Sequence, residues 1–485
     1  MLAQLAREGA AIDRLTADSR RASAGAAFFA WPGASGDGRR HIPQAIERGC
    51  AAVLWESEGF AWDRAFERAR RVPNAGVKGL RAQAGLLAHE FYGRPSESMW
   101  VCGVTGTNGK TSCSQWLAHV LSLKKIKTAV IGTLGAGFPS RLTSIANTTP
   151  DALEVHRLLA EFRLAGASAV AMEVSSHGLD QGRVNGVAFD CALFTNLTHD
   201  HLDYHGTLTA YAEAKARLFD APGLAAAVLN LDDPFGAQLA RRLEARSVRT
   251  IGYSLTGESV SEFISVSRID GQKAELKSSW GSAEVSIPHL GRFNVANALG
   301  VLGCLVAKGI PFGECAQLLE SLPQVAGRMQ QIGDLPGQPL VVVDYAHTPD
   351  ALDKVLSALK PVARVRGGRL VAVFGAGGGR DRAKRPLMGS VAAARADRIV
   401  LTSDNPRGED PQAIVDAIRT GVSGDCDVEL DRAKAIAAAI GSADAADVVL
   451  IAGKGHEAFQ EIDGARLPFS DAAAAEAALG RRGGP

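Results

Sequence analysis

The chain of 485 residues contains no apolar run long enough to span a membrane, so no transmembrane segment is expected. Its seven cysteines, at positions 50, 102, 113, 191, 304, 315 and 426, are odd in number and include no CxxC pair. Neither a disulfide framework nor a zinc site is favoured by that spacing. There is no lysine- or arginine-rich block, and the formal net charge is +1. Nucleic acid and anionic membranes are therefore not expected as partners. The opening MLAQLAREGAAIDRL lacks a basic segment followed by an apolar one, so no secretory signal is read there and a cytoplasmic protein is expected. No repeat of fixed period appears, and the alanine-rich DAAAAEAAL near the end reads as a helix rather than a low-complexity tract.

What is present is ordinary for a soluble globular chain: 46% hydrophobic and 22% charged residues. The length exceeds what one hydrophobic core serves, so several domains are expected. Residues 1–97 mix short strands with Gly- and Arg-rich loops and end near YGRPSES. From Met99 the pattern becomes strand, tight loop, helix. MWVCGVT, KTAVIGT and SAVAMEVS read as buried strands, and SCSQWLAHVLSLKK as a helix. Thr149 is expected to cap, and Pro150 to open, a helix through LEVHRLLAEF. Residues 259–288 break the rhythm and predict an insertion of antiparallel strands. After VAGRMQQIG, four near-continuous apolar strands, PLVVVDYAH, RLVAVFGA, DRIVLTS and ADVVLIAG, each precede helical sequence. The expected fold class is α/β with three domains. These are a small α/β domain over 1–97, a central domain over 98–327 with a mostly parallel sheet and an antiparallel insertion, and a Rossmann-like α/β domain over 328–485.

The segment VCGVTGTNGKTS misses the GxxxxGK[ST] phosphate-loop pattern by one residue, because Val104 stands where glycine is required and Gly103 comes one place early. Its setting, after a buried strand and before a helix, is nevertheless the one a phosphate loop needs. Gly106 and Gly109 allow sharp turns that bring amide groups to phosphate oxygens, and the helix start adds partial positive charge. Lys110 can reach the β- and γ-phosphates, and Thr111 can offer its hydroxyl to magnesium. Glu173 ends a strand of the same sheet, where a carboxylate can also take magnesium. The polar run TNLTHDHLDYHG, with His199, Asp200, His201, Asp203 and His205, reads either as a solvated loop or as a metal or nucleotide contact, and its spacing fits no zinc pattern. Lys215, alone on an amphipathic helix, is not selected by the pattern at all. In the last block DYAHTPDA, GGGRDRAKRP, SDNPRGED and GKGHE all follow strands, which points to one crevice facing the phosphate-loop domain.

Taken in order, GVTGTNGKTS, EVSSHGL, NLTHDHLDYHG, YAEAKARLF, GRFNVANA, DYAHTPDAL, GAGGGRDRAKRPLM, SDNPRGED and AGKGHE resemble the motifs of the Mur ligases, and the likeness extends to TADSR and GASGDGRRHIPQA near the start. In that family the phosphate loop has the shorter form GTNGKT. The resemblance is to the branch that adds the third peptide residue to a peptidoglycan precursor. It implies a uridine-nucleotide site involving Ser19, Ala34, Ser35 and Gly36. It further implies an ATP site formed by Gly106, Thr107, Asn108, Gly109, Lys110, Thr111 and Ser112, with Asn294, Arg328, Asp344 and His347. Asn147, Thr148 and Thr149, together with Ser175, Gln181 and Arg183, are then positions that hold the muramoyl-dipeptide. Lys215 matches a lysine that carries a carbamate in the family, becoming an anionic magnesium ligand beside Thr111, Glu173 and His201. Arg380, Asp404, Asn405, Pro406, Arg407, Gly453 and Glu457 match the pocket for the incoming amino acid.

The reaction so implied is the ATP-dependent addition of meso-diaminopimelate to the D-glutamyl γ-carboxylate of UDP-N-acetylmuramoyl-L-Ala-D-Glu. It proceeds through an acyl phosphate, with Mg2+ as cofactor, ATP as co-substrate and no protein nucleophile. Lys110, Lys215, Glu173 and His201 are the expected catalytic set, and His347 and Asp344 are candidates to accept the amine proton. In the family the DNPR form accompanies diaminopimelate, and variants without this arginine accompany lysine, so Arg407 favours the former. Three other readings are weighed. A lysine-adding ligase is opposed by Arg407. Folylpolyglutamate synthase lacks the first domain, and a catalytically inactive nucleotide-binding scaffold is opposed by the intact Lys110, Glu173, His201 and Lys215. Small-molecule substrates and a monomer are expected.

Overall fold

The computed structural model describes residues 1–33, 36–68, 70–257, 260 and 262–482. Among the described residues there are three large sheets and a two-stranded one formed by Phe459–Ile462 and Ala465–Pro468. The first has four parallel strands, Arg14–Thr16, Ala26–Ala30, Ala52–Glu56 and Asn74–Val77, in sequential order. Helix Leu80–Phe91 closes one face.

The second sheet has eleven strands. At its centre Trp100–Thr105 pairs in parallel with Ala169–Glu173 on one side and Cys191–Phe194 on the other. Alternate residues of the central strand go to opposite apolar layers. Cys102 and Val104 pack with Trp116, Leu117 and Leu302, whereas Val101 packs with Leu159, Phe162 and Leu239. Burial on both faces explains why these strands read as continuous apolar runs. The antiparallel segment is present as expected and extends this sheet at one edge. Glu262–Asp270 joins Arg249–Ser254 in parallel, and Lys273–Ser278 and Gly281–Ser286 follow antiparallel. At the opposite edge Gly135–Phe138 and Arg141–Thr143 add two further antiparallel strands that the sequence pattern did not announce.

The third sheet has six strands. Leu340–Asp344, Val448–Ala452, Leu370–Phe374 and Arg398–Leu401 form its parallel centre, and Gln330–Gly333 is an antiparallel edge. Val341 and Val343 face one layer and Leu340 and Val342 the other, so this sheet too is covered on both sides.

One expected cap is corrected. The helix begins at Ala152, and its N-cap is Asp151, whose carboxylate accepts from Leu153 and Glu154 N–H. Thr149 instead donates its hydroxyl to the Glu173 carbonyl at 2.9 Å and accepts from Ser175 N–H at 3.0 Å. A hydroxyl needed to join two loops is not available to the helix end. Three cysteines that no spacing rule links also meet: the sulfurs of Cys102, Cys191 and Cys304 lie within 4.8 Å of one another, fully buried in the apolar layer. They fill that layer as small apolar side chains.

The first sheet is seated on the second through helix Ala152–Leu164. Leu153 belongs to the first sheet's core, and Arg163 donates to the Gly93 carbonyl at 2.6 Å. His156 is wholly buried at this seam, bonded through Nε2 to the Asn185 carbonyl at 2.9 Å. Burial, then the nearby His89, pulls its imidazole down to about 4. Above the unfolded value near 6.5 the group costs nothing. As pH falls from there towards 4, the unfolded chain takes the proton first and stability is lost. We expect about 2 kcal/mol to disappear from this group between pH 6.5 and 5. Urea midpoints at the two pH values check it: His156→Gln, which keeps a donor for Asn185, is expected to show the smaller drop.

Candidate active site

The strand Trp100–Thr105 runs into the helix Lys110–Leu123 through a loop whose glycines are required where they stand. Gly106 has φ +144°, and a Cβ there would lie 1.9 Å from Thr195 Oγ1. Gly109, at φ +87°, leads directly into the helix, and a Cβ there would lie 2.4 Å from Oδ1 of Asn297, whose amide donates to Asn294 at 3.4 Å. Asn108 is pinned by Asn196, whose side-chain oxygen accepts its N–H at 3.0 Å.

Four of the expected side chains meet at this loop. Lys110 Nζ donates to the Gly106 and Thr107 carbonyls, both at 2.8 Å. Lys215 Nζ donates to the same Gly106 carbonyl at 2.8 Å. Two lysine amines therefore share one acceptor, and Lys215 is only 1% exposed. Burial first, and Lys110's charge second, hold the Lys215 amine well below the ordinary lysine value, against the opposing pull of Asp200. Thr111 Oγ1 donates to Glu173 Oε2 at 3.0 Å. Glu173, fully buried, also accepts from the Thr133 N–H at 2.8 Å and hydroxyl at 3.0 Å. Thr133 was not legible as a site residue. Arg328 reaches in from the start of the third sheet and donates to Thr111 Oγ1 at 3.2 Å.

From Glu173 a polar chain leads outward through the positions matched to the dipeptide. Thr133 and Thr148 hydroxyls are 3.0 Å apart, Arg183 donates to the Thr149 carbonyl at 2.7 Å, and Gln181 Oε1 accepts from Arg183 at 2.7 Å. Ser175 caps the short helix Ser176–Asp180. Asn147 is exposed. In the first sheet Ser19 is buried and donates to Gln44 at 2.7 Å, and the Gly36 carbonyl accepts from Gly33 N–H at 2.7 Å. Ala34 and Ser35 lie outside the described residues.

A cavity of about 600 Å³ opens between the 199–203 loop of the second sheet and the carboxyl ends of the third-sheet strands. All the residues matched to the amino-acid pocket line it except Pro406, and Asp200, Lys384, Tyr345 and His347 line it as well. His201 belongs to this wall rather than to the Thr111–Glu173 pair. It stands in the left-handed region at φ +54°, with Nε2 3.4 Å from Asp200. Partial desolvation lowers its imidazole, against the opposing pull of Asp200. Burial lowers His347 too. Its Nδ1 lies 2.8 Å from the Tyr345 carbonyl, which can only accept, so Nδ1 carries the hydrogen and Nε2 the free lone pair. Asp344 differs: both oxygens are occupied by backbone N–H groups, of Met329 at 2.7 Å and Ala346 at 2.8 Å.

Arg407 is the second non-glycine residue of the cavity wall with positive φ, +55°. The strain is held by a backbone bridge: its N–H donates to the Glu461 carbonyl at 3.0 Å and its carbonyl accepts from Asp463 N–H at 2.6 Å. Its guanidinium donates to the Gly378 carbonyl at 2.6 Å. Gly378 must lack a side chain, because a Cβ would meet the Pro406 carbonyl at 1.9 Å. Asn405 donates to Glu457 at 2.8 Å, and buried Lys454, not picked out within GKGHE, bonds both Asn405 and Glu457.

Three family models match the chain: "Mur ligase family, catalytic domain" over residues 11–92, "Mur ligase middle domain" over 104–305, and "Mur ligase, glutamate ligase domain" over 327–455. A UDP-N-acetylmuramoyl-L-alanyl-D-glutamate–2,6-diaminopimelate ligase of Chromobacterium violaceum is 49% identical, covering 97% of this chain and 95% of its own. One of the same name from Ectopseudomonas mendocina is 50% identical, covering 98% and 96%. A solved structure of an enzyme with that name superposes with TM-score 0.69 at 37% identity, covering 98% of this chain and 96% of the other. With the phosphate loop, its partner lysine and the cavity in place, the chain belongs to the Mur ligase family.

Proposed function

We propose that the protein is the ATP-dependent ligase that joins meso-diaminopimelate to the D-glutamyl γ-carboxylate of UDP-N-acetylmuramoyl-L-Ala-D-Glu. The observation that carries this reading is the cavity in which the Arg407 guanidinium faces the same space as Asp404, Asn405, Gly453 and Glu457, beside the phosphate-loop domain. The names of its relatives at 49% and 50% identity over nearly full length agree with it. The division of labour follows three domains: residues 1–97 hold the uridine nucleotide, 98–327 hold ATP, and 328–485 hold the amino acid. The enzyme works as a cytoplasmic monomer on small-molecule substrates, and no described helix is long and apolar enough to cross a membrane.

A carboxylate does not acylate an amine unaided, so the γ-phosphoryl group of ATP first passes to the γ-carboxylate. Lys110 and the loop amides counter the repulsion between the two anions and stabilise charge on the phosphoryl group in transfer. Oxygen donors suit magnesium, and the Thr111 hydroxyl and Glu173 carboxylate already stand together at 3.0 Å. A carbamate on Lys215, whose amine now bonds the Gly106 carbonyl, would offer a further oxygen donor, and His201 on the cavity wall would be the fourth residue of the expected set. A magnesium ion held by these residues would supply charge neutralisation to the triphosphate. The carbamate is what the family resemblance implies, and the lowered basicity of the buried Lys215 amine agrees with it. Burial and the Lys110 charge both disfavour the Lys215 ammonium, and a carbamate there would face Lys110 with the opposite sign.

The amine of the incoming amino acid then attacks the acyl carbon and phosphate leaves. Of the two candidates for the amine proton, His347 has an unprotonated nitrogen on the cavity wall, whereas each Asp344 oxygen already accepts a backbone N–H and Asp344 does not line the cavity. His347→Ala is expected to lower kcat by about a hundredfold and to flatten the acid limb of the pH–rate profile. An unchanged limb assigns the proton elsewhere.

Phosphate release with ATP, magnesium, the UDP-dipeptide and meso-diaminopimelate tests the reading. Release is expected only with all components present. No release with any combination means a nucleotide-binding scaffold.

A further inference from the structure

The amino-acid pocket is built from two loops that leave different strands, Asp404–Arg407 after Arg398–Leu401 and Gly453–Glu457 after Val448–Ala452. One buried guanidinium holds the root of both. Arg432 Nη1 donates to the Ser403 carbonyl at 3.2 Å, and Nη2 donates to the Ala452 carbonyl at 2.9 Å. These are the residues immediately before Asp404 and Gly453. The rest of the fork closes on Asp471, from Nε at 2.7 Å and Nη2 at 2.8 Å, and both side chains are 0% exposed. Arg432 begins helix Arg432–Gly441 and Asp471 begins helix Asp471–Arg482, so neither comes from the loops it fixes. Neither lines the cavity.

A buried ion pair contributes little to stability compared with apolar residues of the same volume. What a guanidinium adds is a rigid plane with donors at fixed angles. Here that plane ties two loop roots and a helix terminus into one unit. Nearer the cavity, Lys454 repeats the linkage by donating to Asn405 at 2.8 Å and Glu457 at 2.9 Å. We propose that the Arg432–Asp471 pair is a positioning device that sets the spacing between the two walls of the pocket and thereby the affinity for the incoming amino acid. The C-terminal helix is thus wired to substrate selection without touching substrate. The inference rests on the reading of these loops as the amino-acid site.

Two variants test it. Arg432→Lys keeps the charge but not the fork. Arg432→Met with Asp471→Leu removes both charges together, leaving no unpaired ion to unfold the domain. Each is expected to raise KM for diaminopimelate by about tenfold or more, since small misplacements of positioning groups are costly. KM for ATP and for the UDP-dipeptide, and kcat at saturating amino acid, are expected to change by less than about threefold. Arg407→Ala runs alongside. If it leaves KM for the amino acid unchanged, the pocket reading fails. If it raises KM while both Arg432 variants do not, the positioning proposal is overturned. A joint rise in all three KM values, or loss of the fold in both variants, assigns the pair to general stability and overturns it equally.

Discussion

Replacing Lys215 by alanine is expected to lower kcat by about a thousandfold, the loss associated with removing a preorganised electrostatic group from a phosphoryl-transfer site. The direction of rescue distinguishes its role. As an ammonium, Lys215 would duplicate Lys110 on the Gly106 carbonyl, with both amines at 2.8 Å. As a carbamate it is an anion among oxygen donors. Lys215→Glu is therefore expected to retain more activity than Lys215→Arg, although arginine conserves the charge of the free amine and glutamate reverses it. Short carboxylic acids added to Lys215→Ala are expected to restore part of the rate. At Lys110 the order is expected to reverse, because the proposed role of that side chain is that of a cation facing phosphate. Steady-state phosphate release for the set decides the matter: arginine superior to glutamate at 215 would exclude a carbamate.

Arg407→Ala is expected to reduce kcat/KM for meso-diaminopimelate by about a hundredfold, as the loss of one buried charge pair costs on the order of 2–5 kcal/mol. Diaminopimelate ends in a second amino-acid head with a carboxylate, and lysine ends in ammonium alone. The guanidinium fork pairs with the first and repels the second. The variant is thus expected to lose discrimination by losing its preferred substrate and to show slightly improved turnover of L-lysine. The residue is held at a backbone cost, in the left-handed region at φ +55° and bracketed by Glu461 and Asp463. Arginine would adopt an easier conformation in an unconstrained loop. Kinetics with both amino acids check it: full retention of selectivity would remove Arg407 from the specificity site.

The parts of the fold that depend on neighbours in sequence were legible. The phosphate loop announced itself because strand, glycines, Lys110 and helix are contiguous, and Glu173 because a strand end is a local feature. The alternating strands and helices gave the parallel sheets for the same reason. Convergence was not legible without family resemblance. Lys215 meets Gly106 across 109 positions. Arg432 meets Asp471 across 39, and Cys102 meets Cys304 across 202. No spacing rule reaches that far. Thr149 was misread for a related reason: cap preference is local, but its hydroxyl was claimed by the Glu173 and Ser175 backbone. The edge strands Gly135–Phe138 and Arg141–Thr143 escaped because short antiparallel strands with exposed residues carry little hydrophobic signal, whereas the antiparallel strands at the other edge were legible from the break in rhythm over 259–288.

The central claim is the identity of the residue added. The most direct measurement supplies ATP, magnesium and UDP-N-acetylmuramoyl-L-Ala-D-Glu together with equal concentrations of meso-diaminopimelate and L-lysine, and weighs the product by mass spectrometry. The expected product carries diaminopimelate almost alone, by about a hundredfold over lysine. Equal incorporation, or a lysine product, would contradict it.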